Sequence, residues 1–543
     1  MILNVYPFTK RVLIMIGVVF LLIVLNGTYS PHRVFAQEPK TTTAFVNVKA
    51  IPMDTERVLE NQTVIVEGDR ITTIGPADEV TVPAGAQVIE GEGAYLMPGL
   101  ADMHMHFATA TSAIPGTEEE ERPLKLFIAN GVTTVRDLSS PPLYFQWEKE
   151  IAEGTRVGPQ IYKGRLIETF PDRSLGIMWQ AGATVVIGLI LFLALWLIFR
   201  KRIAQTGKRL VIYVSLLAAL FVLGYILTRT VVPTYQIVGP GAGIVDSPRE
   251  ARRMVYKAKA AGYDFIKPYD ALTQAQYGAL MKAAQETNMI VAGHIQEDVG
   301  LDGIIAHGQD EVVHLEELLH EFLVGYEKGP YALPFDLAID EGRIEAVVNK
   351  LKDSNTTLCV TMIIDEVVLR KTTNSTEFLQ DPIIEKYLGR IQFEAIKDGT
   401  DRHMRIFNER FPNNIERWYA LYEKILLAVR KAGVHITLGT DSGVEGVVHG
   451  FTVHDELRLL TQTGGYTPYE AIAAGTKNAA AAMNDLAEWG TIDVGKRADL
   501  ILVNKNPLED VAHIQDKRGV MAAGRWYPEA ELQSFLRESE VGP

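Results

Sequence analysis

Short apolar runs alternate with amphipathic stretches between residues 96 and 441. The apolar runs have the length and composition of buried strands, and they are Met97–His104, Thr133–Asp137, Gln160–Leu166, Phe265–Tyr269, Ile290–His294, Glu311–His314, Thr357–Ile364 and His435–Asp441. Helical patterns lie between them, for example at Pro248–Ala261, Gln274–Thr287 and Ile344–Lys352. Strand–helix units repeated in this way predict an α/β fold of the (β/α)₈ TIM barrel type, formed by residues 96–172 and 236–489.

Both flanks of this region have a different pattern, in which strand-like alternation is interrupted by turn glycines. The strand candidates are Thr63–Glu67, Ile71–Ile74, Gln87–Ile89, Ala498–Val503 and Gly519–Ala522. We therefore expect residues 41–95 and 490–530 to pair into one small β-sandwich domain.

Other apolar segments predict membrane insertion. Val12–Leu25 follows two basic residues, which predicts a signal peptide or N-terminal anchor within residues 1–36. Two uncharged segments, Ile177–Phe199 and Leu210–Leu227, flank the basic stretch Arg200–Arg209, which predicts a two-helix transmembrane hairpin at residues 173–235. Because basic loops stay in the cytoplasm, the barrel is expected on the periplasmic or extracellular side of a multi-pass membrane protein.

The predicted hairpin is inserted after the third barrel strand. A loop at that position lies on the carboxyl-end face of a barrel, where active sites are built. The mouth of the barrel is therefore expected to face the lipid bilayer, and the small-molecule substrate to be amphipathic or lipid-derived.

Composition restricts the classes of partner and site. The formal net charge is −14, which argues against nucleic acid as a partner. The single cysteine, Cys359, excludes a disulfide framework and any multi-cysteine metal site. Since Cys359 lies in an apolar run, we expect it in the core.

The first and last predicted barrel strands carry histidines and an acid. His104 and His106 are two residues apart, so both side chains point from the same face of a strand. Asp441 ends the eighth strand, where an acid is a metal ligand or, alternatively, a helix N-cap.

Three further polar residues end apolar strands in the middle of the barrel. His294 and His314 end the fifth and sixth strands, and Lys267 lies near the end of the fourth. A lysine on an apolar strand is costly unless it is paired or modified. All these side chains are expected at the carboxyl-end face of the barrel.

Together these residues give the order His-x-His, Lys, His, His, Asp. This order resembles that of the metal-dependent amidohydrolase superfamily, in its imidazolonepropionase-like and Xaa-Pro or Xaa-Arg dipeptidase-like branch. The stretches Gly131–Asp137 and Gly490–Leu500 are similar to that family's second strand and C-terminal signature. The resemblance extends from Thr42 to Ala523 except for the predicted hairpin.

The resemblance implies two divalent metal ions, most often Zn²⁺. By resemblance, His104, His106 and Asp441 hold one ion, His294 and His314 hold the other, and a CO₂-derived carbamate on Lys267 bridges them. A metal-activated bridging hydroxide then attacks the substrate, and Asp441 is the catalytic residue that takes and returns the proton.

This site predicts an exported, membrane-bound hydrolase of an amide-type C–N bond in a dipeptide, N-acyl amino acid or cyclic amide. The alternatives are a lactone or ester hydrolase on the same site, and a non-catalytic sensor on an amidohydrolase scaffold. Tyr269 and His449 are expected substrate contacts, and Arg136 and Asp137 an ion pair. The segment Asp365–Pro412 is expected to cover the mouth. The sequence leaves a homo-oligomer open.

Overall fold

The structure is a computed structural model that describes residues 41–107, 118–169, 242–325, 337–410 and 414–541. The predicted signal or anchor at residues 1–36 and the predicted hairpin at residues 173–235 lie outside the described residues. From Thr42 onward, the described residues belong to one unit.

The strands, in chain order, are β1 Thr42–Ala50, β2 Leu59–Glu67, β3 Arg70–Pro76, β4 Gln87–Glu90, β5 Tyr95–Pro98, β6 Leu100–Met105, β7 Val132–Asp137, β8 Gln160–Glu168, β9 Gly243–Ile244, β10 Phe265–Pro268, β11 Ile290–Gly293, β12 Glu311–Val313, β13 Leu323–Val324, β14 Ala338–Ile339, β15 Thr357–Val360, β16 Ile436–Leu438, β17 Leu500–Val503, β18 Lys517–Ala522 and β19 Arg525–Pro528.

The α-helices are α1 Glu118–Ala129, α2 Leu143–Ala152, α3 Pro248–Ala261, α4 Gln274–Thr287, α5 Gly300–His307, α6 Ile344–Lys352, α7 Met362–Thr373, α8 Ser375–Leu379, α9 Pro382–Tyr387, α10 Arg390–Lys397, α11 Arg402–Arg405, α12 Ile415–Ala432, α13 Phe451–Gln462, α14 Pro468–Ala474, α15 Lys477–Ala482 and α16 Glu529–Glu538. Short 3₁₀ turns at Glu316–Glu321, Glu341–Arg343 and Val511–Gln515 and a π turn at Ile406–Arg410 complete the described elements.

Parallel strands form a nearly closed barrel in the order β6-β7-β8-β10-β11-β12-β15-β16. The closure lies just beyond β16, where Thr440 N donates to His104 O (3.1 Å) and His106 N donates to Ser442 O (2.8 Å). This arrangement confirms the predicted α/β barrel class. It also brings the ends of the first and last strands into direct contact.

A second sheet combines strands from both flanks of the barrel. Its order is β19-β18-β17-β5-β1-β2-β3, with β4 beside β1. The two flanks join where β17 runs antiparallel to β5 and Leu500 pairs with Pro98. One face of this sheet is apolar, and Phe45 on it packs edge-on against Trp526 at 5.2 Å between ring centres.

The chain changes sheets at Gly99. The predicted strand Met97–His104 is in fact two strands, since β5 belongs to the second sheet and β6 to the barrel. A Cβ atom at residue 99 would lie 2.1 Å from Thr133 Oγ1. Only glycine allows this close approach.

The predicted strand Thr357–Ile364 is too long. Strand β15 ends at Val360 and helix α7 begins at Met362. Glu456 promotes this early start, because its carboxyl group accepts from Met362 N (3.2 Å) and Ile363 N (2.7 Å), two amides of the first turn that have no partner within the helix.

Three helices have the predicted bounds, and capping explains two of them. Ser247 precedes α3 and accepts a hydrogen bond from Glu250 N, while Gly262 ends the helix in the left-handed region. Thr273 begins α4 with a reciprocal capping box. Helix α6 also lies where it was predicted.

The predicted membrane localisation is contradicted. No helix among the described residues is long and apolar enough to cross a membrane. We therefore withdraw the multi-pass assignment with its periplasmic or extracellular barrel; the two segments on which it rested, Ile177–Phe199 and Leu210–Leu227, lie outside the described residues.

Candidate metal centre

The first and last barrel strands bring His104, His106 and Asp441 together. The Nε2 atoms of His104 and His106 each lie 3.3 Å from Asp441 Oδ1. Each residue offers a ligand atom, and these atoms lie within 4.8 Å of one another. This spacing fits three ligands of one ion.

The middle strands place the other predicted ligands beside this group. The His314 ring centre lies 4.3 Å from that of His104 and 5.0 Å from that of His294. Lys267, in β10, is almost completely buried. Its Nζ lies 5.7 Å from the ring centre of Tyr269, and the Tyr269 ring lies 4.6 Å from that of His294.

Two of the predicted ligands have strained backbones. His314 has φ of 74° and Asp441 has φ of 56°, in the left-handed region that non-glycine residues rarely occupy. Such strain persists only where surrounding contacts enforce it, and it is common at functional sites.

Asp102 helps to hold the strained backbone at Asp441 in place. Its carboxyl group accepts hydrogen bonds from Thr440 N (3.0 Å), Thr440 Oγ1 (2.6 Å) and His104 N (3.2 Å). One buried side chain thus ties β6 to the residue before Asp441. Sequence analysis missed Asp102, although it lies two residues before His104 and so on the same face of the strand.

Burial favours the neutral imidazole in His104, His294 and His314. It lowers the pKa of His104 and His314 well below the usual range, and the neighbouring charges of Lys267 and other histidines contribute to both shifts. Burial, followed by the charge of Lys267, also lowers the pKa of His294. Neutral imidazole is the form that binds metal.

Burial affects the pKa values of Asp441 and Lys267 differently. Burial opposes ionisation of Asp441, but close contact with His106 and the charge of His314 hold its pKa below the usual value. Burial lowers the pKa of Lys267 to about 8, although the charges of Asp441 and Asp270 oppose this shift. The site therefore combines a carboxylate with an amine that loses its proton more readily than an ordinary lysine.

The donor set fits divalent metal. Three buried side-chain atoms of this site have no hydrogen-bond partner among the described residues, and they are His104 Nδ1, His294 Nε2 and Asp441 Oδ1. Buried polar atoms left unpaired cost free energy that a ligand can recover. Imidazole nitrogen and carboxylate oxygen are donors that suit zinc and similar ions.

Two acidic side chains, those of Asp270 and Glu317, lie beside His294. Its Nδ1 contacts Asp270 and lies 3.4 Å from Glu317 Oε1. Burial, and then the charge of Asp270, raise the pKa of Glu317 well above the usual range. Sequence analysis did not identify Asp270 or Glu317, although each lies within three residues of a predicted site residue, Tyr269 or His314.

The two expected substrate contacts have different environments. Tyr269 lies ring to ring beside His294, within the group of predicted ligands. His449 Nε2 instead donates to the backbone oxygen of His106 at 2.8 Å, and its ring packs on Phe127. Burial lowers the pKa of His449 to about 4. His449 therefore supports the strand that carries His106.

The expected Arg136–Asp137 ion pair is replaced by other contacts. Arg136 pairs with Glu311 across the barrel interior and donates to Met103 O at 2.6 Å. Asp137 accepts from Phe107 N (3.1 Å) and Ser139 N (2.9 Å). Successive residues of a strand point to opposite faces, which separates the two side chains.

Comparisons with known proteins find amidohydrolase-like relatives. Residues 405–527 match the amidohydrolase family. An ochratoxinase from Aspergillus niger is 24% identical over 452 residues, covering 78% of this chain and 73% of that protein. A 5-methylthioadenosine/S-adenosylhomocysteine deaminase from Symbiobacterium thermophilum is 22% identical, covering 82% of this chain and 81% of that protein.

Solved structures share the fold. A Xaa-Pro dipeptidase with methionine bound in its active site has a TM-score of 0.58 at 19% identity, covering 90% of this chain and all of that one (100%). The chain is thus similar to amidohydrolases in the sequence of residues 405–527 and in its fold. It is an enzyme, a hydrolase that acts on carbon–nitrogen bonds.

Proposed function

We propose that the chain is a metal-dependent hydrolase of the amide bond in a dipeptide or N-acyl amino acid. The observation that carries the proposal is the convergence of His104, His106 and Asp441 with the other three predicted ligands at the carboxyl ends of the barrel strands. His104, His106 and Asp441 would hold one divalent ion. His294, His314 and Lys267 would complete a second position.

When bound, such ions supply Lewis-acid catalysis, polarising the scissile carbonyl and lowering the pKa of the attacking water. Asp441 is suited to move the proton, because its pKa lies below the usual value and it is therefore a carboxylate at neutral pH. It would accept the proton of the water and donate it to the leaving nitrogen.

Carboxylation of Lys267 is part of the proposal. A neutral amine attacks CO₂ to form a carbamate and releases one proton. A pKa of about 8 leaves a fraction of the Lys267 amine neutral at physiological pH, which favours this reaction. The resulting carbamate would carry a negative charge that could bind both ions.

The substrate class draws support from the relatives. Ochratoxinase and Xaa-Pro dipeptidase are the names of two similar proteins, and a Xaa-Pro dipeptidase acts on a peptide bond. Both cover most of this chain. A small substrate with a peptide-type amide bond would suit the site, and Tyr269 beside His294 would contact it.

An activity screen tests the proposal. The protein, purified with Zn²⁺ and bicarbonate, is assayed against dipeptides, N-acyl amino acids and lactones, with amine or acid release measured. We expect turnover of amides that is lost on chelation and falls by about 10²–10⁴-fold in the Asp441→Asn variant. Turnover of lactones alone would redirect the proposal to ester chemistry. No turnover at full metal occupancy would contradict it.

A further inference from the structure

The loop after Asp441 has a strained backbone. Asp441 (φ 56°), Gly443 (95°), Glu445 (53°) and Gly446 (96°) all lie in the left-handed region. A Cβ atom at residue 443 would lie 2.0 Å from His106 O, so that position requires glycine. Asp441 and Glu445 lack the freedom of glycine, so other contacts must hold them in this conformation.

A buried lysine of helix α7, Lys371, contacts this loop. Lys371 is completely buried, and its Nζ lies 2.7 Å from Glu445 Oε2 and 2.8 Å from the backbone oxygen of Glu445. Asp401 Oδ2 lies 3.0 Å from the same Nζ, and His403 Nδ1 lies 2.8 Å from Glu445 Oε2. Lys371 thus fixes both the side chain and the peptide of a strained residue.

A second contact holds the loop two residues earlier. Gln392, in α10, donates from Nε2 to the backbone oxygen of Gly443 at 2.9 Å. Gly446 then packs among side chains of the same helical segment, with Phe378 and Ile396 within 3.4 Å of the position a Cβ atom would take. Residues 362–405 therefore hold the loop at three points, residues 443, 445 and 446.

We propose that Lys371, Glu445 and Gln392 are positioning residues for Asp441. They act through the backbone of residues 441–446, and so set where the Asp441 carboxylate stands relative to His104 and His106. The inference rests on the proposed function in that it takes Asp441 as the proton carrier. A buried ion network is weak evidence for stability, whereas a strained loop beside the site gives it a geometric role.

The deciding variant is Glu445→Gln, which keeps the shape of the side chain and removes its charge. Its matched control is Glu366→Gln, which removes an ion pair from α7, since Glu366 lies 2.8 Å from Arg458 rather than on the loop. Lys371→Met and Gln392→Ala supplement the test. Lys371→Met leaves buried carboxylates unpaired and is expected to fold poorly, so the conclusion does not depend on it.

Turnover and metal content are measured for each protein. We expect Glu445→Gln to lower kcat about tenfold or more at unchanged metal stoichiometry, because small displacements of a catalytic group are costly. Glu366→Gln should change kcat less than about twofold. In an Asp441→Asn background, Glu445→Gln should produce no further loss.

The visible spectrum of the Co²⁺-substituted protein gives a readout that needs no substrate. Displacement of the Asp441 carboxylate should change the spectrum in Glu445→Gln and leave it unchanged in Glu366→Gln. This readout holds even if amides prove to be the wrong substrates. Equal spectra and equal kcat for Glu445→Gln and Glu366→Gln would overturn the inference. It would also be overturned if Glu445→Gln lowered kcat by the same factor in the Asp441→Asn background as in the wild type.

Discussion

The composite sheet and the carboxyl-end face of the barrel place their polar groups differently. In the sheet, inward positions such as Phe45, Val64 and Leu96 are completely buried and apolar. The charged pair formed by Lys49 and Glu60, at 3.3 Å, lies near solvent. This is the alternation that stabilises a sheet with one covered face.

The barrel face buries ionisable groups instead. His104, Lys267 and Asp441 are all at least nine-tenths buried, and Asp441 and His314 have left-handed backbones. Several polar atoms there have no hydrogen-bond partner among the described residues. Each of these features opposes folding when considered alone.

The difference separates residues that stabilise the protein from residues that serve the site. Substitutions in the sheet should lower stability and leave metal binding intact. Substitutions at the barrel face should remove metal or turnover with little loss of stability. The effects are expected to be largest at the proposed metal ligands and smallest at a buried carboxyl group outside them.

The largest effect is expected from Lys267→Ala. Loss of the bridging ligand should remove at least one metal ion per chain and lower turnover about 10³-fold or more, the equivalent of about 4 kcal/mol of transition-state stabilisation. Metal analysis and kcat measure both effects. Lys517→Ala is the control, since Lys517 also has a pKa lowered to about 8 by burial but lies in β18. Normal metal content in Lys267→Ala would contradict a bridging role.

Asp441→Asn is expected to separate turnover from folding. Proton transfer contributes about 10²–10⁴-fold, so kcat should fall by that factor while the thermal midpoint stays close to that of the wild type. The amide still offers one oxygen to metal, so much of the metal should remain. Near-normal turnover would show that another group carries the proton.

Phe45→Ala tests the sheet. Phe45 is completely buried and packs on Trp526, so its truncation should lower the free energy of unfolding by about 3–5 kcal/mol. Denaturant unfolding measures this change. Metal stoichiometry and kcat of the folded variant should equal those of the wild type. A loss of metal in this variant would remove the distinction between the two regions.

Local pattern predicted the regular elements well and their junctions poorly. The bounds of α3, α4 and α6 follow from caps and periodicity within each helix. The sheet change at Gly99 and the start of α7 depend on Thr133 and Glu456, which are distant in sequence from the elements they limit.

The candidate site shows the same division between local and distant information. The six proposed ligands lie at or just beyond the carboxyl ends of barrel strands, and strand ends can be read from local pattern. Their partners cannot be read in this way, because Lys371 and Glu445 are separated by 74 residues and meet only in the folded chain. Asp102 is the exception, since its spacing from His104 was visible.

The smallest effect is expected at Glu456. This residue tests whether a buried carboxyl group near the barrel lowers stability when it ionises. This residue is completely buried, and burial raises its pKa from 4.5 to about 8. The folded chain therefore keeps a proton that the unfolded chain releases near pH 4.5. The contribution of Glu456 to the free energy of unfolding is therefore complete below pH 4.5 and is lost as the pH rises through 8.

Glu456→Gln removes this titration and keeps one of the two oxygens that accept from Met362 N and Ile363 N. The loss of the other acceptor changes stability by the same amount at every pH, so the comparison across pH isolates the titration. The stability of the wild type relative to Glu456→Gln should therefore fall by on the order of 2–3 kcal/mol between about pH 5 and pH 8, since each pKa unit corresponds to about 1.4 kcal/mol. Denaturant unfolding of both proteins across this range measures the difference. Glu488→Gln, which removes an exposed carboxylate, is the control and should show a far smaller dependence on pH. A difference that stays constant from pH 5 to pH 8 would mean that Glu456 is ionised in the folded chain, and that the start of α7 compensates the buried charge.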